Sequence, residues 1–404
     1  MVRLPELPPI GAAMRSMSFL LLLGTVSLCQ AADLKDLPAN TWVEFKYTTD
    51  QIDPKDKGQF ARQGWNKIVY DPDGKRVLFY DRWVDKKHGG WTIYGNCLFG
   101  LDTGAGKLTP IKVDNWTKLE PKGGGYRTQA LPENDDDPTP CPRHVYHAFE
   151  YVPDLKAVFI CNGANQTALN NEGKLVGHDL CDGAWRIDLK TNKWTQIKSD
   201  QRPPNYLDDS MAYCPDTKEI IYAGSNRQLW ILDLEKGQWR KAKKSPPARP
   251  AMGQTIWYDP THKRMLIAGG GALDAWMKGK APEFRELYAY DPKTEAVQKL
   301  ADAPTALYSS HLAFDRKREL FFAVAVFNKK QTKGEQSPDE GVQPSGMFAY
   351  DPKKDAWTEV KPANPIPPHN NWFGWMQLCY DVEHDCLIGK VNEKFFAFRY
   401  EPAK

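Results

Sequence analysis

The chain has 404 residues, 26% charged and 12% aromatic, with 30 Gly, 31 Pro and a formal net charge of +3. This balance excludes a coiled coil, a long helical bundle and a disordered tail protein, and it suggests many short strands joined by turns. The near-neutral charge leaves no electrostatic footprint for nucleic acid.

Residues 14–31 read as a secretory signal. Arg15 supplies the positive start, 19–28 the apolar run, and Cys29-x-Ala31 the small residues of a cleavage site. The run is too short to span a bilayer, and no later stretch is long enough. The expected mature chain, 32–404, is therefore soluble and periplasmic or secreted, where disulfides are permitted.

A strand-like segment follows at 41–47 (Thr-Trp-Val-Glu-Phe-Lys-Tyr), and then a repeating unit begins. Its first copy has strands at 67–70, 76–80 and 98–102 and a fourth led by Leu108. The second copy has 147–151, 157–161, 185–188 and Trp194; the third has 210–213, 219–223, 229–233 and Trp239. The fourth has 255–258, 264–268, 287–291 and Val297; the fifth has 311–314, 319–323, 347–351 and Trp357. The sixth has 376–380, 385–389 and 395–399, and the chain stops before a fourth strand. In the complete copies the third strand ends in Asp102, Asp188, Asp233, Asp291 or Asp351, followed by turn formers. Asp caps such a turn through its own backbone, and Gly or Asn supplies positive φ. Short apolar runs with period-two alternation predict four antiparallel strands per unit.

Such a unit cannot bury both faces alone, so six stack around an axis. The expected fold is all-β: one six-bladed β-propeller over 32–404. Its last blade would take its outer strand from 41–47, which removes two exposed sheet edges.

The chain resembles the kelch family. The residues that carry the resemblance are the strand ending in Ala268-Gly-Gly270, the Tyr-Asp-Pro turns at Asp291 and Asp351, and Trp194, Trp239 and Trp357. Asn162-Gly163 and Ala223-Gly224 are partial copies of the double glycine. The resemblance implies a propeller, and it extends as architecture to the propellers of galactose oxidase and of bacterial N-acetylneuraminate epimerase. A radical-copper site of the galactose oxidase kind needs two Tyr, two His and a thioether Cys. Tyr146-His147 resembles one adjacent pair only, so no copper is expected.

Strand connections alternate between two faces. First-to-second turns are tight. Second-to-third connections are long, at about 81–96, 162–183, 269–285 and 324–345, as are the inter-blade connections 114–142 and 360–373. Both long classes fall on one face, where function is expected. His88, His144, His147, His178, His311 and His369 map there or to inner-strand starts. Five clusters enter inner strands: Arg62 to Asn66, Arg143 to His147, Asp208 to Ser210, Tyr308 to His311, and Asn370 to Trp375. Arg binds carboxylate or sulfate in a bidentate fork, aromatic faces stack on sugars, and His or Tyr serves as acid or base. The candidate ligand-binding residues are Trp65, Asn66, Arg82, Asn162, Asp209 and Trp375. The alternative for all of them is channel filling.

No metal or other cofactor is expected. On a strand, the odd spacing of His144 and His147 puts the two rings on opposite faces. Asp135 to Asp137 lack an EF-hand spacing and read as a solvated loop. No phosphate loop or nucleophile elbow is present. The cysteine connectivity stays open; Cys97–Cys141 and Cys161–Cys181 are the favoured pairs, Cys379 and Cys386 are either a bridge or buried thiols, and Cys214 is free and buried.

Two functions remain. One is a monomeric, non-catalytic domain that binds a glycan, acidic by preference, or a protein at the long-loop face. The other is a carbohydrate-active enzyme, either a lyase or an epimerase. There Arg143 neutralises a carboxylate, and His147, Tyr308 and His311 serve as acid or base.

Overall fold

The computed structural model describes residues 34–49, 66–84, 93–113, 139–140, 143–165, 179–180, 183–204, 208–271, 284–307, 312–326, 344–367, 376–391 and 393–402. The expected signal at 1–31 lies outside them. No helix among the described residues is long and apolar enough to cross a membrane.

Six antiparallel sheets form the blades, each running from an inner to an outer strand. Blade 1 holds β3 (Ile68–Asp71), β4 (Arg76–Val84), β5 (Ile93–Asp102) and β6 (Lys107–Val113). Blade 2 holds β7 (Phe149–Val152), β8 (Ala157–Cys161), β11 (Ala184–Asp188) and β12 (Lys193–Ile197). A small hairpin of β9 (Ala164–Asn165) and β10 (Asp179–Leu180) sits inside its β8–β11 connection. Blade 3 is β13 (Ser210–Cys214), β14 (Glu219–Ala223), β15 (Leu229–Asp233) and β16 (Gln238–Lys241). Blade 4 is β17 (Met252–Asp259), β18 (Arg264–Gly271), β19 (Leu287–Tyr290) and β20 (Val297–Lys299). Blade 5 is β21 (Leu312–Asp315), β22 (Leu320–Val326), β23 (Pro344–Asp351) and β24 (Ala356–Val360). Blade 6 is β25 (Gln377–Asp381), β26 (Cys386–Val391) and β27 (Lys394–Phe398), closed by β1 (Trp42–Phe45). This is the six-bladed ring that the kelch resemblance implies.

The closure has the expected register, with Trp42 opposite Phe398 and Phe45 opposite Phe395. One element was not foreseen. β2 (Thr48–Thr49) crosses to blade 1 and pairs in parallel with β6, so the N-terminal segment clasps two blades. Arg399 ties the segment further, donating to the carbonyls of Leu34, Lys35 and Leu37. Two of the expected long loops are partly ladder. β4 and β5 stay paired out to Val84 and Ile93, beyond a register shift at Trp83, and β18 runs on to Gly271.

The core is divided among the seams between blades. Period-two alternation sends successive side chains of each strand to opposite neighbours. In β8, Val158 and Ile160 pack against blade 1, whereas Ala157, Phe159 and Cys161 pack against blade 3. Among the described residues six apolar clusters result, one per seam. Two of the repeated tryptophans meet a tyrosine edge to face, Trp194 with Tyr80 at 5.7 Å and Trp239 with Tyr222 at 5.9 Å, and Trp357 meets Tyr350 at a tilt, at 5.0 Å.

The turns repeat as closely as the strands. The Oδ1 atoms of Asp102, Asp188, Asp233, Asp291 and Asp351 each accept a backbone N–H two or three residues on, at 2.8–3.0 Å. Positive φ is supplied there by Gly106, Asn192 and Gly237, as the turn chemistry demands, but also by Glu295 and Asp355. In the inner turns it falls every time on a residue other than glycine: Lys75, Lys156, Lys218, Lys263, Glu319 and Asp385.

Candidate functional site

The inter-blade connections and the second-to-third strand connections share one face, and buried polar side chains hold their roots. Arg143 reaches two carbonyls of blade 2, donating to Asn162 O at 3.2 Å and Gly183 O at 3.4 Å. Asn162 takes positive φ and bridges to blade 3, donating to Pro204 O at 3.2 Å and to the Tyr222 hydroxyl at 2.8 Å. That hydroxyl donates in turn to Asp209, whose other oxygen accepts from the Ser225 amide at 3.0 Å. Burial, reinforced by the Asp209 carboxylate, holds the Tyr222 phenol well above its ordinary value, so it stays a donor.

Arg143, Asn162 and Asp209 thus form one connected network across the blade 2–blade 3 seam, with their hydrogen bonds directed into the protein. Asn66 works the same way between blades 1 and 2. It donates to the Tyr80 carbonyl and accepts from the Tyr146 amide at 3.0 Å. His147 is buried, with Nδ1 at 2.9 Å from the Asp208 carboxylate. The His144 and Tyr146 rings stack beside it at 5.5 Å.

Arg82 lies on β4 opposite Asn96, and its side chain is outside the described part. Trp65, Tyr308, His311 and Trp375 lie outside the described residues. So do Cys141 and Cys181, which leaves both favoured disulfide pairs beyond the structure's reach, although Cys97 and Cys161 are buried on β5 and β8. Cys214, Cys379 and Cys386 are buried free thiols. Burial comes first in raising the Cys379 and Cys386 thiols above their ordinary value, with Asp381 adding to it, which keeps both protonated.

The double glycine of blade 4 has a steric cause. A β-carbon on Gly269 (φ +67°) would overlap the Leu307 carbonyl oxygen, and one on Gly270 (φ +88°) would lie 2.7 Å from Ala251 O. Both inter-blade segments flanking blade 4 press on this loop, and only glycine admits them.

A cationic site at the same face was not singled out from the sequence. Arg227, in the β14–β15 connection, is buried and shares the Glu286 carboxylate with Arg249. Arg249 comes from the β16–β17 connection and stacks on the Phe284 ring at 3.5 Å. Two guanidinium groups therefore face one carboxylate. Burial and the neighbouring Arg249 both lower the Arg227 pKa, with Glu286 opposing. Arg249 is 32% exposed on its side chain, which puts the surplus charge at the surface. The sequence signal was thin: single arginines before Gln228 and between Ala248 and Pro250. A cleft of about 310 Å³ lies farther round, between blades 2 and 3, lined by Asn162, Gly183, Arg202 and Trp239 among others.

No known family and no curated protein matches this chain by sequence. Solved structures match by shape. A fungal alcohol oxidase of the AA5 family, determined with copper, is 11% identical with a TM-score of 0.50, covering 84% of this chain and 65% of its own length. This chain thus spans just under two thirds of that oxidase. A Bacteroides thetaiotaomicron VPI-5482 protein of unknown function is 10% identical with a TM-score of 0.48, covering 88% of this chain and 75% of its own. Among the described residues no three His, Cys, Asp or Glu side chains converge as metal ligands, and His147 faces Asp208 in the interior. The likeness to the oxidase is one of fold, and the chain is a six-bladed, kelch-like β-propeller.

Proposed function

We propose that this chain is a non-catalytic binding propeller, exported from the cytoplasm, that takes an acidic glycan at its long-loop face. The observation that supports this reading is the Arg227–Arg249 pair, which among the described residues shares the single carboxylate of Glu286. A carboxylate or sulfate entering beside Arg249 would restore charge balance and meet a planar donor fork. The Phe284 ring under that guanidinium fixes its plane. Buried hydrogen bonds at the loop roots support the same reading, because pre-ordered loops lose less entropy on binding. The lyase or epimerase alternative is less favoured. Arg143 and His147 are both buried and turned toward protein groups, out of reach of a sugar.

The test is a glycan array with the mature chain and Arg249→Ala. Uronate- or sulfate-bearing glycans should be retained by the wild type, and the variant should lose about tenfold or more in affinity for them. Equal binding by the two proteins would refute the site. An unsaturated uronate product absorbing near 232 nm, by contrast, would establish the lyase.

A further inference from the structure

The opposite face carries a feature that the long-loop reading leaves unused. Each inner strand places an aromatic residue at the same register, just before its tight turn: Tyr70, Tyr151, Tyr213, Tyr258, Phe314 and Tyr380. All six line the central channel, which encloses about 610 Å³ and opens among the short turns at Pro72, Pro215 and Val382. That volume is in the range of small-molecule sites.

Two members of the collar are tethered by hydrogen bonds. The Tyr258 hydroxyl donates to Asp216 on the preceding blade, and the Tyr380 hydroxyl donates to Asp385 at 2.7 Å. Asp381, Asp71 and Asp154 stand beside the hydroxyls of Tyr70, Tyr151 and Tyr213, each from the preceding blade. Burial, with these carboxylates, holds the five phenols above their ordinary value, so none contributes a charge. Below the collar the wall is aliphatic, with Ile68, Leu312 and Leu378.

The floor is polar and balanced. Lys67 pairs with Glu150 and donates to the Met211 carbonyl at 2.8 Å, crossing from blade 1 to blades 2 and 3. An ammonium has three donors, and Glu150 meets Lys67 through one oxygen, so the pair can both donate to and accept from a hydroxyl. A ring of aromatics above a neutral pair of this kind suits a ligand with apolar ring faces and a hydroxyl edge, and it offers nothing to a net charge.

We propose that the central channel is a second binding site, entered from the short-turn face, for an uncharged pyranose sugar or its glycoside. The ring would lie within the aromatic collar and its hydroxyls would meet Lys67 and Glu150. This proposal is independent of the acidic-glycan site, which lies on the other face.

The test is calorimetric titration of the mature chain with D-glucose, D-galactose, D-mannose, D-xylose and their methyl glycosides, with D-glucuronate as the charged control. At least one neutral sugar should bind, and glucuronate should bind more weakly. Glu150→Ala should cost about tenfold in that affinity by removing an acceptor from the floor. Val382→Trp, placed on an exposed turn at the mouth, should block the site without touching the interior. Arg249→Ala should leave neutral-sugar binding unchanged while weakening acidic-glycan binding about tenfold or more, which separates the two sites. The proposal is overturned if no neutral sugar binds the wild type, or if affinity survives in the Val382→Trp protein.

Discussion

His147 and Asp208 meet in the interior with Nδ1 at 2.9 Å from Oδ1, both side chains almost wholly buried. The pair joins the root of blade 2 to that of blade 3, beside a bridge between His147 and Ser210. Asp208→Ala removes the carboxylate facing a buried ring and should cost about 2–3 kcal/mol in denaturant unfolding. Asp208→Asn should recover much of this, because it keeps the shape of the carboxylate and a polar oxygen beside the ring, and asparagine tolerates the positive φ at this position. Neither change should alter acidic-glycan binding at neutral pH.

Arg318 clamps the blade 5–blade 6 seam, with Nη1 at 2.8 Å from Asp315 and 2.7 Å from Asp385. Burial opposes ionisation of Asp385, but hydrogen bonds from Arg318, Lys317 and Tyr380 outweigh it and hold its pKa at about 2, against an ordinary 3.8. A depressed carboxylate contributes stability that is complete above its unfolded pKa and is lost as pH falls through the folded one. Arg318→Met should therefore cost about 1–2 kcal/mol near pH 7 after allowance for solvent screening. The gap from wild type should narrow between about pH 4 and pH 2. Urea midpoints across that range provide the measurement, and a constant gap would rule out the electrostatic origin.

The ring is closed by Trp42. Its indole packs on Phe398 at 4.8 Å, and its backbone N–H and C=O both bond the Asn364 side chain at 2.8 Å. Asn364 acts there as a one-residue strand edge. Trp42→Ala should cost about 3–5 kcal/mol, as for other buried aromatics. Asn364→Ala should cost about 1–2 kcal/mol. Thermal unfolding of both variants checks the order.

Lys218 is exposed and sits at φ +55° in the β13–β14 turn. Glycine removes the left-handed penalty of roughly 1–2 kcal/mol and returns part of it as unfolded-state entropy. Lys218→Gly should thus raise stability by about 0.5–1 kcal/mol. Gly269→Ala should do the opposite, since its β-carbon meets the Leu307 carbonyl, and a raised melting temperature there would contradict the close approach.

Much of the fold was legible because the repeat is written in residues that act locally. The Asp of each third-strand turn caps its own backbone, so Asp102, Asp188, Asp233, Asp291 and Asp351 mark their hairpins in sequence. Leftover pieces gave the closure: 395–399 lacked a partner and 41–47 lacked a blade. The parallel clasp of Thr48–Thr49 on β6 left no such trace, because two threonines carry no pattern of their own.

The candidate site was legible only in part. Asn66, Arg143 and Asp209 precede inner strands and Asn162 follows β8; all four are polar residues on the expected face, and polarity there marked position correctly. It did not say whether each side chain faces a ligand or a carbonyl. The structure turns these four inward, and it brings Arg227, Arg249 and Glu286 together from three separate connections.

The sequence by itself determined the number of blades, the strand order, the tight-turn face and the strand that closes the ring. These follow from period-two alternation and from turn chemistry spanning a few residues. Only the tertiary structure decided which polar groups are spent within the protein, where two arginines share one carboxylate, and that six aromatic residues converge on one channel above Lys67 and Glu150. Those relations join residues on different blades, and their energy depends on distance and burial that no single stretch of sequence contains.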